Sequence, residues 1–491
     1  MKPEAGPMER VGTFRPSTMR EIRERVSLEL SDAPLESSTD LSQVMQAIRE
    51  NSVPAASPYF MNQLFSGVSS EMLMAEHLIA GSRTTMATFE ASPVFTAIEL
   101  EVVSQLLRLV GWESKEQRPD DSHLENFEIE SLRGLCVSGG SAANFMALHC
   151  ARTHLISDFK QTGFAGRKLA LFVSEDAHYS FAKACVALGF GTEALFKVEV
   201  DEHRRMSLAR LEDAIIRART LGWEPFFVSA TAGTTVYGAF DPISDLADAC
   251  ERHGLWLHVD AAWGGPVLFA NELRRRTMEG VEKADSISLD AHKLLGAGLT
   301  SSFFLTNHQG LLTQANDVSG GDYLFHDDLS HSVGSVGAGP DLGRISWQCG
   351  RRPEALGLWV LWKRFGRKGL GDLVEKMFSV RDEVVAWIHR EPRLKLVCQP
   401  EFLNICVRVE PPSAYESERG VWSRHVREEL RRMDFAMVNF STDDEGDFLR
   451  LILANRALEA HHAIEILEAA LAICSCEPSL AETVRTPPAS L

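Results

Sequence analysis

The hydrophobic and polar positions of this chain change their period between its ends and its middle. Between residues 133 and 310, short apolar runs alternate with stretches in which apolar residues recur at helical spacing. The apolar runs are 134–138, 168–173, 225–229, 255–259, 286–289 and 302–305. Strands that alternate with helices form crossover units, so this pattern predicts an α/β fold with a mainly parallel central sheet.

The segment before this region has a different pattern. It begins as a polar arm with a helix near 19–30, and apolar residues at helical spacing follow between 70 and 112. We therefore predict an N-terminal arm and helical segment over residues 1–112.

Two further domains are predicted after that segment. Residues 113–374 form the large α/β domain, and they include a long loop rich in Gly, Ser and Asp at 313–350. Residues 375–491 carry strand-like runs at 402–408 and 448–453 and end in a helical pattern, which predicts a small α+β domain.

Composition narrows the class of protein. The 491 residues are 45% hydrophobic and 24% charged, as in a soluble globular protein. The net charge of −18 argues against a nucleic-acid partner, and the longest apolar run, 355–362, is too short to span a membrane. Nine scattered cysteines, without spacing typical of a metal site, are expected in reduced form in the cytoplasm.

Two polar residues at the ends of predicted strands indicate a specific chemistry. Asp260 follows one apolar run and Lys293 closely follows the next. The lysine amine can form an imine with the aldehyde of pyridoxal phosphate (PLP), and the acid can pair with the nitrogen of its ring. Ligands of parallel sheets bind beyond the carboxyl ends of the strands, where both residues are expected.

Other strand ends carry residues that suit the same cofactor. Gly140 and Ser141 precede a helical stretch, whose N-terminus can bind a phosphate. His178 can stack on a flat ring, Thr231 is placed to contact its edge, and Ala262 is small enough to lie beneath it. Each segment alone is equally compatible with an ordinary turn or cap, and it is their combination that favours a PLP site.

These segments resemble the group II PLP-dependent amino-acid decarboxylases, in particular the branch that acts on glutamate, cysteine sulfinate and aspartate. The resemblance covers about residues 58–475. Its most specific segments are 62–67, 228–242, 257–265, 323–325 and 348–352.

The resemblance implies a fold and an assembly. The fold is fold-type I, the PLP-dependent transferase fold, with helices on both faces of the central sheet. The family forms homodimers whose active sites lie at the subunit interface.

The resemblance also implies roles for individual residues. Lys293 binds the cofactor aldehyde, Asp260 pairs with the ring nitrogen, and His178 and Ala262 cover the two ring faces. The remaining cofactor contacts are Gly140, Ser141, His292 and Thr231. Arg450 matches the position that binds the distal carboxylate of an acidic substrate, and Gln63 matches a contact to a substrate carboxylate.

The chain departs from the family pattern at three positions. Family members carry a tyrosine on the loop that protonates Cα, whereas no tyrosine occurs between Leu324 and Arg351 here. Counting without gaps places His331 at that position, and imidazole can also donate a proton. Asp290 replaces an asparagine near the phosphate, and the bulky Phe65 favours aspartate or cysteine sulfinate over glutamate.

We therefore expect α-decarboxylation of a small acidic L-amino acid: aspartate to β-alanine, cysteine sulfinate to hypotaurine, or glutamate to GABA. Two other hypotheses stay open. A PLP enzyme of this family without the loop tyrosine could yield aldehyde or transamination products. A dimeric binding protein that keeps the fold without catalysis is disfavoured by the intact lysine and acid.

Overall fold

In the computed structural model, a seven-stranded sheet forms the centre of the larger part of the chain. The structure describes residues 11–35, 37–113, 129–318, 321, 323–325 and 339–474. The sheet contains strands β2 (Gly134–Ser138), β3 (Leu169–Ser174), β4 (Leu195–Val198), β5 (Glu224–Thr231), β6 (Trp256–Ala261), β7 (Ser286–Asp290) and β8 (Ser301–Thr306).

The strand order is β2-β8-β7-β6-β5-β3-β4. The strands from β7 through β4 pair in parallel, whereas β8 is antiparallel to both β7 and β2. Strands β3, β6 and β7 are buried along their whole length. This burial explains why their sequences are nearly continuous apolar runs rather than alternating ones.

A second, five-stranded sheet has the order β1-β11-β12-β10-β9. Its strands are β1 (Phe60–Met61), β9 (Leu394–Leu396), β10 (Asn404–Val409), β11 (Met437–Asp443) and β12 (Gly446–Ile452). Strand β1 from the N-terminal region pairs in parallel with β11, and β11 is antiparallel to β12.

The α-helices among the described residues lie before, between and after these strands. They are α1 (Met19–Arg25), α2 (Ser38–Glu50), α3 (Ser70–Ser82), α4 (Pro93–Val110), α5 (Gly140–Leu155), α6 (Phe159–Thr162), α7 (Ser180–Ala187), α8 (Leu208–Thr220), α9 (Ile243–His253), α10 (Asn271–Thr277), α11 (Leu311–Asn316), α12 (Ala355–Ile388), α13 (Arg419–Arg432) and α14 (Ala460–Ile473). Helix α12 is interrupted at Gly366, where φ is +67°. No described helix combines the length and the apolar character that a membrane span requires.

The described chain groups into two compact units. One unit contains Leu64–Ser379 and Cys398–Asn404, and with them the seven-stranded sheet. The other contains Met1–Gln63, Val380–Val397 and Ile405–Leu491. This grouping associates the first 63 residues with the C-terminal part, whereas the sequence suggests a separate segment 1–112. The three-domain division at 112 and 374 stays a prediction.

The position of helix α5 follows from the sequence around its first residues. It begins directly after β2 at Gly139, whose φ of +92° lies in the left-handed region that favours glycine. One side of the helix is buried and mostly apolar, with Ala143, Met146 and Ala147 in the core. The N-terminus of the helix therefore points its free N–H groups toward the carboxyl edge of the sheet.

Candidate active site

The carboxyl ends of β2, β5, β6 and β7 line one cavity of about 400 Å³. Nine of the residues that the sequence predicts for the site lie on its wall: Phe65, Gly140, Ser141, His178, Thr231, Asp260, Ala262, His292 and Lys293. They come from separate segments between residues 65 and 293, and the parallel topology of the sheet is what gathers them.

Asp260 lies at the end of β6 and is 4% exposed. Its Oδ2 accepts a hydrogen bond of 2.7 Å from the side-chain amide of Asn144. Its Oδ1 accepts from the backbone N–H of Ala262 at 3.1 Å and from the hydroxyl of Ser288 at 3.2 Å. A buried carboxylate requires such donors, and these three fix its orientation at the cavity wall.

Lys293 follows β7 by three residues, and its side chain is 20% exposed. Its Nζ lies 3.0 Å from Oδ2 of Asp290, the last residue of β7. Asp290 is 2% exposed, and its Oδ1 accepts a 2.6 Å hydrogen bond from Ser302. The extra acid therefore faces into the site, where it is held by a hydroxyl and paired with the predicted reactive amine.

The turn at Gly140 is closely packed against this acid. A Cβ at position 140 would lie 2.7 Å from Oδ2 of Asp290 and 3.1 Å from Cβ of Ala262. Only glycine fits this space without a shift of its neighbours, and the absence of a side chain leaves the helix N-terminus accessible from the cavity.

Two histidines line the cavity, close to the charged groups of Asp290 and Lys293. Burial lowers the pKa of both His178 and His292. Nδ1 of His178 accepts from the backbone N–H of Ser180 at 3.2 Å, so a neutral ring carries its proton on Nε2. Nδ1 of His292 lies 3.0 Å from the carbonyl oxygen of Ser301, which requires the proton on that nitrogen instead.

Thr231 provides a direct test of whether a ligand belongs in the cavity. Its hydroxyl oxygen is buried and has no hydrogen-bond partner among the described residues. An unsatisfied buried hydroxyl is costly, and a polar ligand in the cavity would supply the missing partner.

The donor set fits PLP in its three parts. The amine of Lys293 suits the aldehyde, the carboxylate of Asp260 suits the ring nitrogen, and the start of α5 suits the phosphate.

Comparison with known proteins identifies the family. Residues 20–410 match the family model described as the pyridoxal-dependent decarboxylase conserved domain. The chain belongs to the pyridoxal-dependent decarboxylases. PLP is the cofactor of this family, so the predicted cofactor, the enzyme class and the resemblance to group II decarboxylases are confirmed.

This decarboxylase is similar to named relatives over most of its length. It is 36% identical over 448 residues to cysteine sulfinic acid decarboxylase of Mus musculus, covering 89% of this chain and 86% of the relative. It is 36% identical over 413 residues to acidic amino acid decarboxylase GADL1 of Bos taurus, covering 84% and 74%.

The fold of the decarboxylase also matches a solved structure. The crystal structure of mouse CSAD superposes with a TM-score of 0.84 at 34% identity, covering 94% of this chain and 92% of that one. The predicted fold-type I α/β architecture is therefore confirmed.

The remaining predicted residues of the decarboxylase either fall outside the described residues or belong to the other compact unit. His331 falls outside the described residues. Gln63 and Arg450 belong to the other compact unit. There, Arg450 on β12 is 6% exposed and donates to the backbone oxygen of Asn62 at 3.1 Å, and burial lowers the pKa of its guanidinium.

Sequence reasoning did not assign Asn144 a role, although it donates directly to Asp260. A signal was present: Asn144 is a polar residue on the buried, mostly apolar side of α5, one turn after Gly140. Tyr179, Thr235 and Trp263 also line the cavity and were not predicted.

Proposed function

We propose that this decarboxylase removes the α-carboxylate of a small acidic L-amino acid. Aspartate and cysteine sulfinate are the favoured substrates, with glutamate as a further one. The observation that supports catalysis most directly is that Lys293 and Asp260 line the same cavity. The relatives named for cysteine sulfinic acid and for acidic amino acids support the substrate class.

Each predicted residue has a physical task in this proposal. Lys293 would hold the cofactor aldehyde through its amine, which requires its ion pair with Asp290 to open. Asp260 keeps the ring nitrogen protonated, while Gly140 and Ser141 bind the phosphate and Thr231 contacts the ring edge. When bound, PLP supplies a protonated ring that withdraws the electron pair left on Cα as carbon dioxide departs.

Four further residues shape the ring and phosphate sites in this proposal. His178 stacks on one face of the ring and Ala262 packs on the other. His292 lies at the phosphate together with the start of α5. Phe65 limits the length of the substrate, because its ring lines the cavity and a shorter space favours aspartate or cysteine sulfinate over glutamate.

Arg450 and Gln63 are the residues that we propose to bind the acidic groups of the substrate. A guanidinium binds a carboxylate or sulfinate with two parallel hydrogen bonds, which selects acidic side chains. This assignment rests on the sequence resemblance at both positions, and Arg450 lies beyond the residues 20–410 that match the family model. We also propose a cytoplasmic homodimer with its active site at the subunit interface, as the resemblance implies.

A second outcome is favoured by one feature of the sequence. The segment from Leu324 to Arg351 has no tyrosine, the residue that protonates Cα in relatives. If His331 does not donate this proton, two other outcomes follow the loss of carbon dioxide: an aldehyde with pyridoxamine phosphate, or an aldehyde with ammonia and peroxide when dioxygen is the oxidant.

Turnover of aspartate, cysteine sulfinate and glutamate in parallel tests the proposal. Carbon dioxide, peroxide and pyridoxamine phosphate should be measured together. Carbon dioxide with a stoichiometric amine supports decarboxylation, and no release from any of the three acids excludes it. Peroxide or pyridoxamine phosphate as the main product would favour the second outcome.

Borohydride reduction tests the cofactor link independently of substrate. The reduced adduct should map to Lys293 and be lost in Lys293→Ala. Lys283→Ala is the matched control, because Lys283 is an exposed lysine ten positions upstream that pairs with Asp248. An adduct on any other lysine would contradict the assignment.

A further inference from the structure

A row of buried polar side chains leads away from Asp260 across the sheet. Trp256, His258 and Asp260 alternate on β6, and each is at most 6% exposed. On the neighbouring strand β7, Ser286 is opposite His258 and Ser288 is opposite Asp260. Polar groups so deeply buried are tolerated only when they are hydrogen-bonded.

The contacts form one continuous chain. The indole Nε1 of Trp256 donates to Oγ of Ser286 at 2.9 Å, and Oγ lies 2.9 Å from Nδ1 of His258. Nε2 of His258 lies 3.1 Å from the amide oxygen of Asn144. The amide nitrogen of Asn144 donates to Asp260 at 2.7 Å.

The chemistry of the groups determines the direction of every hydrogen bond in the chain. A carboxylate only accepts, so Asn144 must present its nitrogen to Asp260 and its oxygen to His258. His258 is therefore the donor through Nε2, and its Nδ1 is the acceptor. An indole N–H only donates, so the hydroxyl oxygen of Ser286 accepts from Trp256 and its proton is directed to Nδ1.

His258 is suited to hold this single arrangement. It is fully buried, and burial lowers its pKa to about 4. At neutral pH the ring therefore has one donor and one acceptor nitrogen, which matches the one acceptor and one donor that flank it. The second N–H of Asn144 is also occupied, by Ser180 at 3.0 Å.

We propose that His258 is a positioning residue for Asp260, acting through the amide orientation of Asn144. If the amide turned over, its oxygen would face the carboxylate, and the two acceptors would repel each other. With the amide fixed, Oδ1 of Asp260 has two described donors and Oδ2 has one, which leaves an acceptor position on Oδ2 for the ring N–H. The inference rests on the proposed pairing of Asp260 with the ring nitrogen.

The dissociation constant of PLP, measured by fluorescence titration, tests this inference without turnover. His258→Phe keeps a flat ring but removes both nitrogens, and it should weaken binding roughly 10-fold, as loss of an outer partner does around metal ligands. His258→Gln can place an amide N–H toward Asn144, and it should stay within about 3-fold of the native value. Native affinity in His258→Phe would overturn the inference, as would an equal loss in both variants.

A double-mutant cycle separates positioning from simple packing. In an Asp260→Asn background, His258→Phe should cause no further loss, because the group that it positions has already been replaced. The same additional loss in that background would show that His258 only packs the core, and would overturn the inference. Should His258→Phe fail to fold, Ser286→Ala takes its place in the cycle. Ser286→Ala removes only the hydroxyl that donates to Nδ1. It should weaken PLP binding less than His258→Phe does, and only in protein that retains Asp260.

The cycle also distinguishes this inference from the proposed function. If no acidic amino acid releases carbon dioxide but the cycle gives the expected coupling, the proposed substrate is wrong and the positioning role stands. If Asp260→Asn itself leaves PLP affinity unchanged, Asp260 does not hold the ring, and the positioning role falls with it.

Discussion

Asp290 changes the charge balance of the cavity. Its carboxylate is buried at 2% exposure, 3.0 Å from the amine of Lys293 and beside the turn at Gly140. A phosphate bound at that turn would be repelled by it, since two like charges about 4 Å apart interact by roughly 1–4 kcal/mol between water and a protein surface. The same carboxylate must also release Lys293 before the amine can react.

Asp290→Asn should therefore bind PLP more tightly, by about 10-fold for a change of 1.4 kcal/mol. The asparagine oxygen can still accept from Ser302, so the fold is expected to persist. Fluorescence titration with PLP measures the change, and Asp248→Asn, which breaks the exposed ion pair with Lys283, is the control. Unchanged or weaker binding would contradict the repulsion argument.

Arg450 provides the test of substrate class at a single residue. Arg450→Ala should lower kcat/KM for the preferred acidic substrate by about 100-fold or more, the effect of removing one partner of a buried charge pair. Arg427→Ala is a matched control, because Arg427 lies partly buried in the same unit and likewise donates to a backbone oxygen, that of Val438. Equal kinetics of both variants would argue against the assignment.

Individual residues differed in how far the sequence could reveal them. Lys293 and Asp260 were predictable because each closely follows an apolar strand, where a charged group needs a partner. Asn144 and His258 were not, because their roles depend on how α5 and the register of β6 and β7 bring distant positions together. The roles of all predicted site residues stay predictions until variants are measured.

At the scale of elements, the start of α5 requires one particular residue type, glycine at position 140. The first N–H groups of a helix lack partners within it, and they bind a phosphate only if nothing blocks their approach. At Gly140 a methyl group would lie 2.7–2.8 Å from both oxygens of Asp290. The helix can therefore serve the cofactor only while position 140 has no side chain.

Gly140→Ala should raise the dissociation constant of PLP at least about 10-fold, because the methyl group displaces Asp290 or the helix start by several tenths of an ångström. Gly81→Ala on α3 is the control, since a methyl group there meets nothing within 4 Å. PLP titration and thermal unfolding should be measured on both. A Gly140→Ala protein with native affinity would refute the proposed phosphate contact.

The hydrophobic pattern of the sequence predicts some of the strands and misses others. All six strands expected between 133 and 310 are present, because each is a buried apolar run. The edge strand β4 was missed because it has only four residues, and β11 was missed because most of its residues are partly exposed. The antiparallel direction of β8 has no signature in periodicity, which is the same for both directions.

Across the whole molecule, histidines with lowered pKa values link stability to pH. Burial lowers the pKa of His149 and of His258 to about 4. Burial lowers the pKa of further histidines in the same direction, namely His154, His178, His292, His425 and His462. Each of them must gain a proton on unfolding in mild acid, so together they favour loss of stability as the pH falls.

His149 allows this linkage to be tested at one position. Its Nδ1 accepts from Arg152 at 3.0 Å and its Nε2 lies 3.1 Å from the backbone oxygen of Ala315, so the folded protein holds the neutral ring. The folded pKa lies below the ordinary value of 6.5, and the unfolded chain binds more protons between pH 6.5 and 4. Above pH 6.5 the histidine therefore does not lower the free energy of unfolding. By pH 4 it has lowered that free energy by about 3 kcal/mol.

His149→Gln should reduce the fall in unfolding free energy between pH 7 and 4 by up to about 3 kcal/mol, because glutamine keeps both hydrogen bonds without titrating. Urea unfolding of the cofactor-free protein across this range measures it, since bound cofactor would add its own linkage. His203→Gln, at an exposed site, is the control.

Asp241 acts in the opposite sense, because burial raises its pKa to about 7 and its contribution to the stability of the fold is lost as the pH rises. The test is therefore the difference between native and variant slopes, and an identical slope in His149→Gln would refute the assigned linkage.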